Sequence, residues 1–314
     1  MNDFCGCETT LSSRAAVGHW DATVKAFLAH GAATPEHLGK TLELEPGFAQ
    51  GHAAKGLFCL LLGRSELVET AREALAAAEA AGTNSPREAI YISALRLYLN
   101  GAPSSAAAAF EKLLTEWPED ALAMKLVQAI RFVLGQPDHM RKSLEFVMPA
   151  YKNHAALGYL KGCYAFALEE TGDYAAAETS GREGLLLAPD DAWGLHAVAH
   201  VYDMTARAED GLFWLSGQTQ AWAHCNNFRY HVWWHIALMH LDLGEYDQAL
   251  ALYDTEIRAD KTDDYRDISN AASLLSRLEI EGVDIGTRWE ELAVLSEGRV
   301  EDGCVVFADL HYIL

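Results

Sequence analysis

Apolar residues recur at helical spacing in successive short runs along most of the chain. Those runs predict about sixteen helices, at roughly 15–30, 35–45, 49–62, 66–81, 86–100, 103–116, 120–134, 138–149 and 156–171. The series continues at about 174–187, 191–205, 208–215, 228–243, 246–258, 264–280 and from about 287 onward. Pro46, Pro118 and Pro189 each close a similar phrase, LELEPGF, LLTEWPED and LLLAPDD, at separations of 72 and 71 residues. Gly63, Gly101, Gly135, Gly172 and Gly244 fill the half-period, with Ala206 in the one slot that lacks a glycine. Each of these positions follows one apolar run and precedes another, where a left-handed turn residue is wanted.

A half-period of about 36 residues is a little above the 34 of the tetratricopeptide repeat, a helix-turn-helix that buries its apolar face only by stacking on neighbours. The best single unit is Tyr159 to Pro189, YLKGCYAFALEETGDYAAAETSGREGLLLAP. It has a first helix, a turn at Gly172, Ala177 where helices cross closely, and a proline that ends the second helix. The second half recurs from Gly101 and again from Gly244. The expected fold is therefore all-α, with tetratricopeptide-like helix-turn-helix repeats stacked into a right-handed superhelical solenoid. No low-complexity linker interrupts the pattern, so residues 1–314 read as one domain, with 1–12 a loose leading segment. Ser216 to Asn227 is a long connection for a repeat turn.

Composition narrows the partners. Only 8 prolines and abundant Ala, Leu and Glu favour helix. A net charge of −21 repels phosphate backbones, which argues against a nucleic-acid partner and in favour of a cationic ligand, a basic peptide or a metal ion. Six scattered cysteines suit a reducing cytoplasm, and Cys5-Gly6-Cys7 is a lone thiol pair without a second pair to complete a metal site. The start lacks a basic stretch followed by an apolar core, so no secretory signal is read there. No apolar run approaches the roughly 18 residues needed to span a bilayer, so no membrane partner is expected.

Several phrases go beyond what repeat periodicity demands: TLSSRAAVGHWDA, FALEETGDYAAAE, DAWGLHAVAHVYDM, HVWWHIALMHLDLGEYDQALALYD and RLEIEGVDIG. In these the chain resembles the tetratricopeptide repeat protein 38 family from Thr10 onward. The resemblance implies a cytosolic all-helical superhelix and brings no established reaction with it. It also implies that similar chains continue past the position of Leu314.

In tetratricopeptide arrays the first helix of each pair lines the concave groove. Alignment on Gly172, Pro189 and Gly244 places Tyr159, Phe166, Glu169 and Glu170 there, then Trp193, His196, His200 and Asp203. His231, Trp234 and Asp242 follow, with His235 at the edge of the same face. His196 and His200, like His231 and His235, are four residues apart, so each pair shares a helix face. With Asp203 on the same stripe, these imidazoles suit zinc, iron or manganese, with Glu169 or Glu170 to orient a ligand or serve as general base. His311 is a more distant candidate ligand, whereas His240 falls on the packing ridge and reads as core. Stacking on Trp193, Trp233 and Trp234 is an equally sufficient role for the histidines. No HExxH, GxGxxG or P-loop is present. Two functions result. The first is a repeat protein whose acidic, His- and Trp-lined groove holds a peptide, a protein or a small molecule. The second is a metal-dependent enzyme, in its simplest form a hydrolase, with Glu170 as the catalytic base.

Overall fold

The computed structural model describes every residue from Met1 to Leu314 and is all-helical, with one isolated antiparallel bridge between Asn2 and Glu8. The chain divides into two compact units, Met1–Leu195 and His196–Leu314.

The first unit is built of helix pairs: α1 (Arg14–Leu28) with α2 (Thr34–Leu44), α3 (Ala49–Leu61) with α4 (Leu67–Ala81), and α5 (Pro86–Leu99) with α6 (Pro103–Glu116). Then come α7 (Ala121–Val133) with α8 (Pro137–Val147), and α9 (Leu157–Glu170) with α10 (Tyr174–Leu187). Each helix packs on its partner, and α3 also touches α5 as α7 touches α9, so first helices stack on first helices. Aromatic rings seal the layers, Trp20 edge-on to Phe48 and Tyr91 edge-on to Phe110, both at 5.0 Å. Prolines open α5, α6 and α8, where the missing N–H would have no helical acceptor.

The second unit takes most of α11 (Ala192–Met204), then α12 (Ala208–Ser216), α13 (Phe228–Asp242), α14 (Tyr246–Leu252), α15 (Tyr265–Ile280), α16 (Arg288–Glu297) and α17 (Val306–Tyr312). A π-helical turn, Tyr253–Ile257, extends α14 and buries Tyr253 and Ile257. The stretch expected as one helix from about 287 is two. The break follows Gly298, where Arg299 pairs with Asp263 and Asp302 and ties the turn to the start of α15. Ala308 and Tyr312 of α17 then pack on Ile268.

The turn slots carry the backbone expected of them. Gly172 has φ 82°, and Ala206 adopts φ 54° in the slot without a glycine, a conformation that costs an L-residue about 1 kcal/mol.

Residues 1–12 are not loose. Cys5, Cys7 and Leu11 are buried, and Asp3 is ion-paired with the buried Arg87 of α5. A buried guanidinium must have counter-charges, and Asp3 and Asp120 supply them from either side. Burial pushes the Cys5 and Cys7 thiols far up, which disfavours the thiolates a metal site would need.

Small residues set the approach at the start of α11. A Cβ on Gly162 would stand 1.8 Å from the Asp191 carboxylate and 2.9 Å from the Gly194 Cα. Asp191 caps α11 by accepting the Trp193 and Gly194 amides, while burial, only partly offset by Lys125, pushes its pKa up to about 7. Because the folded pKa is raised, the native state holds this proton more tightly than the unfolded chain does. Stability is therefore lost as pH rises from the ordinary carboxylate range toward 7. Asp191→Asn keeps the capping oxygen and removes the titration. Urea unfolding is expected to show the variant gaining roughly 2 kcal/mol on the parent between pH 5 and pH 8. An unchanged difference across that range would contradict the assignment.

Candidate metal centre

Two helices of the second unit bring the histidines together. His196 and His200 stand on one face of α11, and His231 and His235 on one face of α13, each pair one helical turn apart. The four offer one ring nitrogen each within 4.8 Å of one another. His196 Nε2 lies 2.8 Å from His200 Nε2 and 2.9 Å from His231 Nε2. Phe228 meets the His196 ring at 5.2 Å, and Trp234 stacks on His231 at 5.2 Å with an interplanar angle of 13°.

The outer nitrogens of two rings are held from behind. His231 Nδ1 is 2.8 Å from Asn270 Oδ1, and His235 Nδ1 is 2.6 Å from Asp203 Oδ2. An amide oxygen and a carboxylate accept hydrogen bonds, so in each neutral ring the hydrogen sits on Nδ1 and the Nε2 lone pair faces its neighbours. Burial first, then neighbouring imidazoles, push the pKa of His231 and of His235 well below the usual range, which keeps both rings neutral at pH 7. His235 Nε2 is buried and has no hydrogen-bond partner. His196 Nε2 is common to both close pairs and carries either one hydrogen or one lone pair, so it can satisfy only one of them in a straight line. A cation among the four nitrogens would be shared by all of them, and tetrahedral zinc would ask for nitrogens about 3.4 Å apart.

Asp203, expected among the ligands, stands behind His235 and orients it. Burial pushes its pKa up to about 7 against the pull of His200. Asn270, on α15, went unforeseen, since nothing in SNAAS marks it. A second tether fixes the start of α13: Asn227 Nδ2 donates to Asp267 at 2.6 Å, and Thr262 also donates to that carboxylate.

The other expected residues are placed as follows. Trp234 lies against two of the imidazoles, and Asp242 is exposed near Asp203, whose charge helps raise its pKa after burial. His240, expected in the core, is half-exposed and bonded to Glu245 at 2.6 Å, at the edge of the packing face. His311 is half-buried and bonded to the Phe307 carbonyl within α17, outside the four. Tyr159, Phe166, Glu169, Glu170 and Trp193 belong to the first unit. There Tyr159 donates to Asp190 at 2.9 Å, and Phe166 packs on Trp193 at 4.5 Å. Glu169 is buried and Glu170 is exposed at the end of α9.

Comparison with known proteins agrees with this architecture. The first structural neighbour is NprR, in the crystal structure "of NprR in complex with its cognate peptide NprX". Its TM-score is 0.51 at 14% identity, covering 96% of this chain and 97% of that one. The fold is that of a tetratricopeptide-type repeat protein. The tetratricopeptide domain of P58(IPK) aligns over 96% of this chain at 14% identity with a TM-score of 0.26. Among curated proteins, cellulose synthase operon protein C of Pseudomonas fluorescens (strain SBW25) is 26% identical over 238 residues, 74% of this chain. The match spans 18% of that protein's length. No family model matches the chain. No helix is long and apolar enough to cross a membrane.

Proposed function

We propose that this tetratricopeptide-type protein is a metalloprotein, with a divalent transition metal held by His196, His200, His231 and His235. The observation that supports this reading is the convergence of four imidazole nitrogens within 4.8 Å, two of them aimed by Asn270 and Asp203. Four imidazole ligands suit zinc, iron or copper better than manganese, which favours carboxylate oxygens. A metal there would supply Lewis acidity, and since four imidazoles fill a tetrahedral shell, a bound water of lowered pKa would need a fifth position. The chain's own part is to hold His231 and His235 neutral, fix which of their nitrogens faces inward, and limit access with Phe228 and Trp234. A hydrolytic role for the centre extends this reading.

A second reading keeps the helix faces as the functional surface for a peptide, a protein or a small molecule. It is favoured by the likeness to NprR, whose structure contains its cognate peptide, and by the Phe166–Trp193 cluster with Lys125 Nζ 4.8 Å from the Trp193 ring. Membership of the tetratricopeptide repeat protein 38 family and a reducing, cytoplasmic setting for the six free thiols are consistent with either.

Elemental analysis by mass spectrometry of untagged protein separates them. The parent is expected to carry close to one equivalent of a transition metal, and His196→Ala/His231→Ala less than a tenth of that. Equal metal content in both, with circular dichroism unchanged, would sink the metal reading and leave the helix faces.

A further inference from the structure

The segment Met1–Thr10 is a compact turn seated in a polar socket of the first unit. Its backbone closes on itself: the Asp3 amide donates to the Cys7 carbonyl, Gly6 to Asp3 and Thr9 to Met1, at 2.8–2.9 Å. The Asp3 carboxylate accepts the Cys5 and Cys7 amides at 3.0 Å each and turns its other oxygen toward Arg87, 3.4 Å away. The socket is formed where α3, α5 and α7 begin and by the turn ahead of α9. Arg87 bonds Asp120 at 2.6 Å, the Glu8 carbonyl at 3.1 Å and Gln50 at 3.4 Å. His154 Nε2 bonds the Cys5 carbonyl at 2.9 Å, and Glu88 accepts both the amide and the hydroxyl of Thr10 at 2.9 Å. Lys25 lies 4.6 Å over the Phe4 ring.

Two features make this more than a packed terminus. Apart from Asp3, Phe4 and the Thr10 hydroxyl, the socket reads main-chain groups, a mode of recognition that tolerates other sequences of the same shape. The resident turn also leaves donors unmet: Gln50 Nε2 and Arg87 Nε are buried with no partner, although Gln50 is 0% and Arg87 2% exposed. Buried donors are seldom left so in a finished interior. An occupant that offered them another acceptor would fit better than the one in place.

We propose that this socket is a docking site for an acidic turn of a partner protein, an Asp-containing loop with a small residue two positions on. In this assignment Met1–Thr10 is the resident competitor that a partner displaces. The resident is tethered, so it competes at a local concentration in the millimolar range, and the free chain stays closed to weak ligands. Displacement would bare Cys5 and Cys7, each 2% exposed in the closed form.

The probe is a synthetic peptide of residues 1–11 carrying Cys5→Ser and Cys7→Ser, fluorescently labelled and titrated into the full-length chain under reducing conditions. The full-length Asp3→Arg variant, whose resident turn is repelled by Arg87, is expected to bind it at least tenfold more tightly than the parent. A peptide that also carries Asp3→Asn is expected to lose that gain. Equal binding by parent and variant, or no preference for the aspartate peptide, would overturn the proposal. In the parent chain itself, excess peptide is expected to speed alkylation of Cys5 and Cys7 at least threefold, read by mass spectrometry. No acceleration would overturn the proposal even if Asp3→Arg fails to fold. A stable parent dimer that Asp3→Arg dissolves would also overturn it, because it would mean exchange of the turn between copies.

Discussion

Zinc added to metal-stripped protein is expected to raise its thermal midpoint by about 6 °C, and to leave His196→Ala/His231→Ala unmoved. A ligand that binds only the folded state stabilises by RT ln(1 + [L]/Kd), about 4 kcal/mol at a free concentration a thousandfold above Kd. For a chain of this size each kcal/mol is worth roughly 1.5 °C. The four nitrogens come from α11 and α13, about 35 residues apart in sequence, so unfolding disperses them and little affinity remains for the unfolded chain. Differential scanning fluorimetry across a zinc series checks this. A shift of the same size in the double variant would place zinc elsewhere.

The second large effect is expected in the first unit, where Arg87→Met should cost roughly 3–5 kcal/mol. Arg87 is 2% exposed between Asp3 and Asp120, which are themselves buried, and Tyr91 donates to Asp120 from the other side at 2.8 Å. Removing the guanidinium leaves two carboxylates facing one another without a cation. Asp3 already has its pKa pushed up to about 6, burial outweighing the help Arg87 gives it. Adding Asp3→Asn and Asp120→Asn to Arg87→Met removes those charges, so the triple variant is expected to recover much of the loss. Urea unfolding followed by circular dichroism reads both. A single variant within 1 kcal/mol of the parent would show that the triad contributes little.

Much of the scaffold was legible because it is local. Repeat turns need a left-handed residue, and the glycine series marked them so regularly that Ala206 could be assigned to its slot before its φ of 54° was seen. The histidine pairs were legible for the same reason, since a four-residue spacing commits two side chains to one helix face. What joins one helix to the next was not. Asn270 lies 39 residues from His231, and no spacing rule connects them. Asp203 sat on the expected stripe, but whether it faces the ring nitrogens or stands behind one depends on how α13 packs against α11. Residues 1–12 misled for a related reason. A short polar stretch ahead of the first helix looks solvated until the buried Arg87, 84 residues away, is known to need a counter-charge. The break at Gly298 likewise follows from Arg299 reaching Asp263, 36 residues back.

The metal centre is the claim on which the functional account turns, and X-ray absorption at the zinc edge of the zinc-loaded protein tests it most directly. The account predicts a first shell of nitrogen at about 2.0 Å with the outer-shell scattering of about four imidazoles in the parent, and no retained zinc to give such scattering in His196→Ala/His231→Ala. A shell dominated by oxygen, without imidazole scattering, would contradict it.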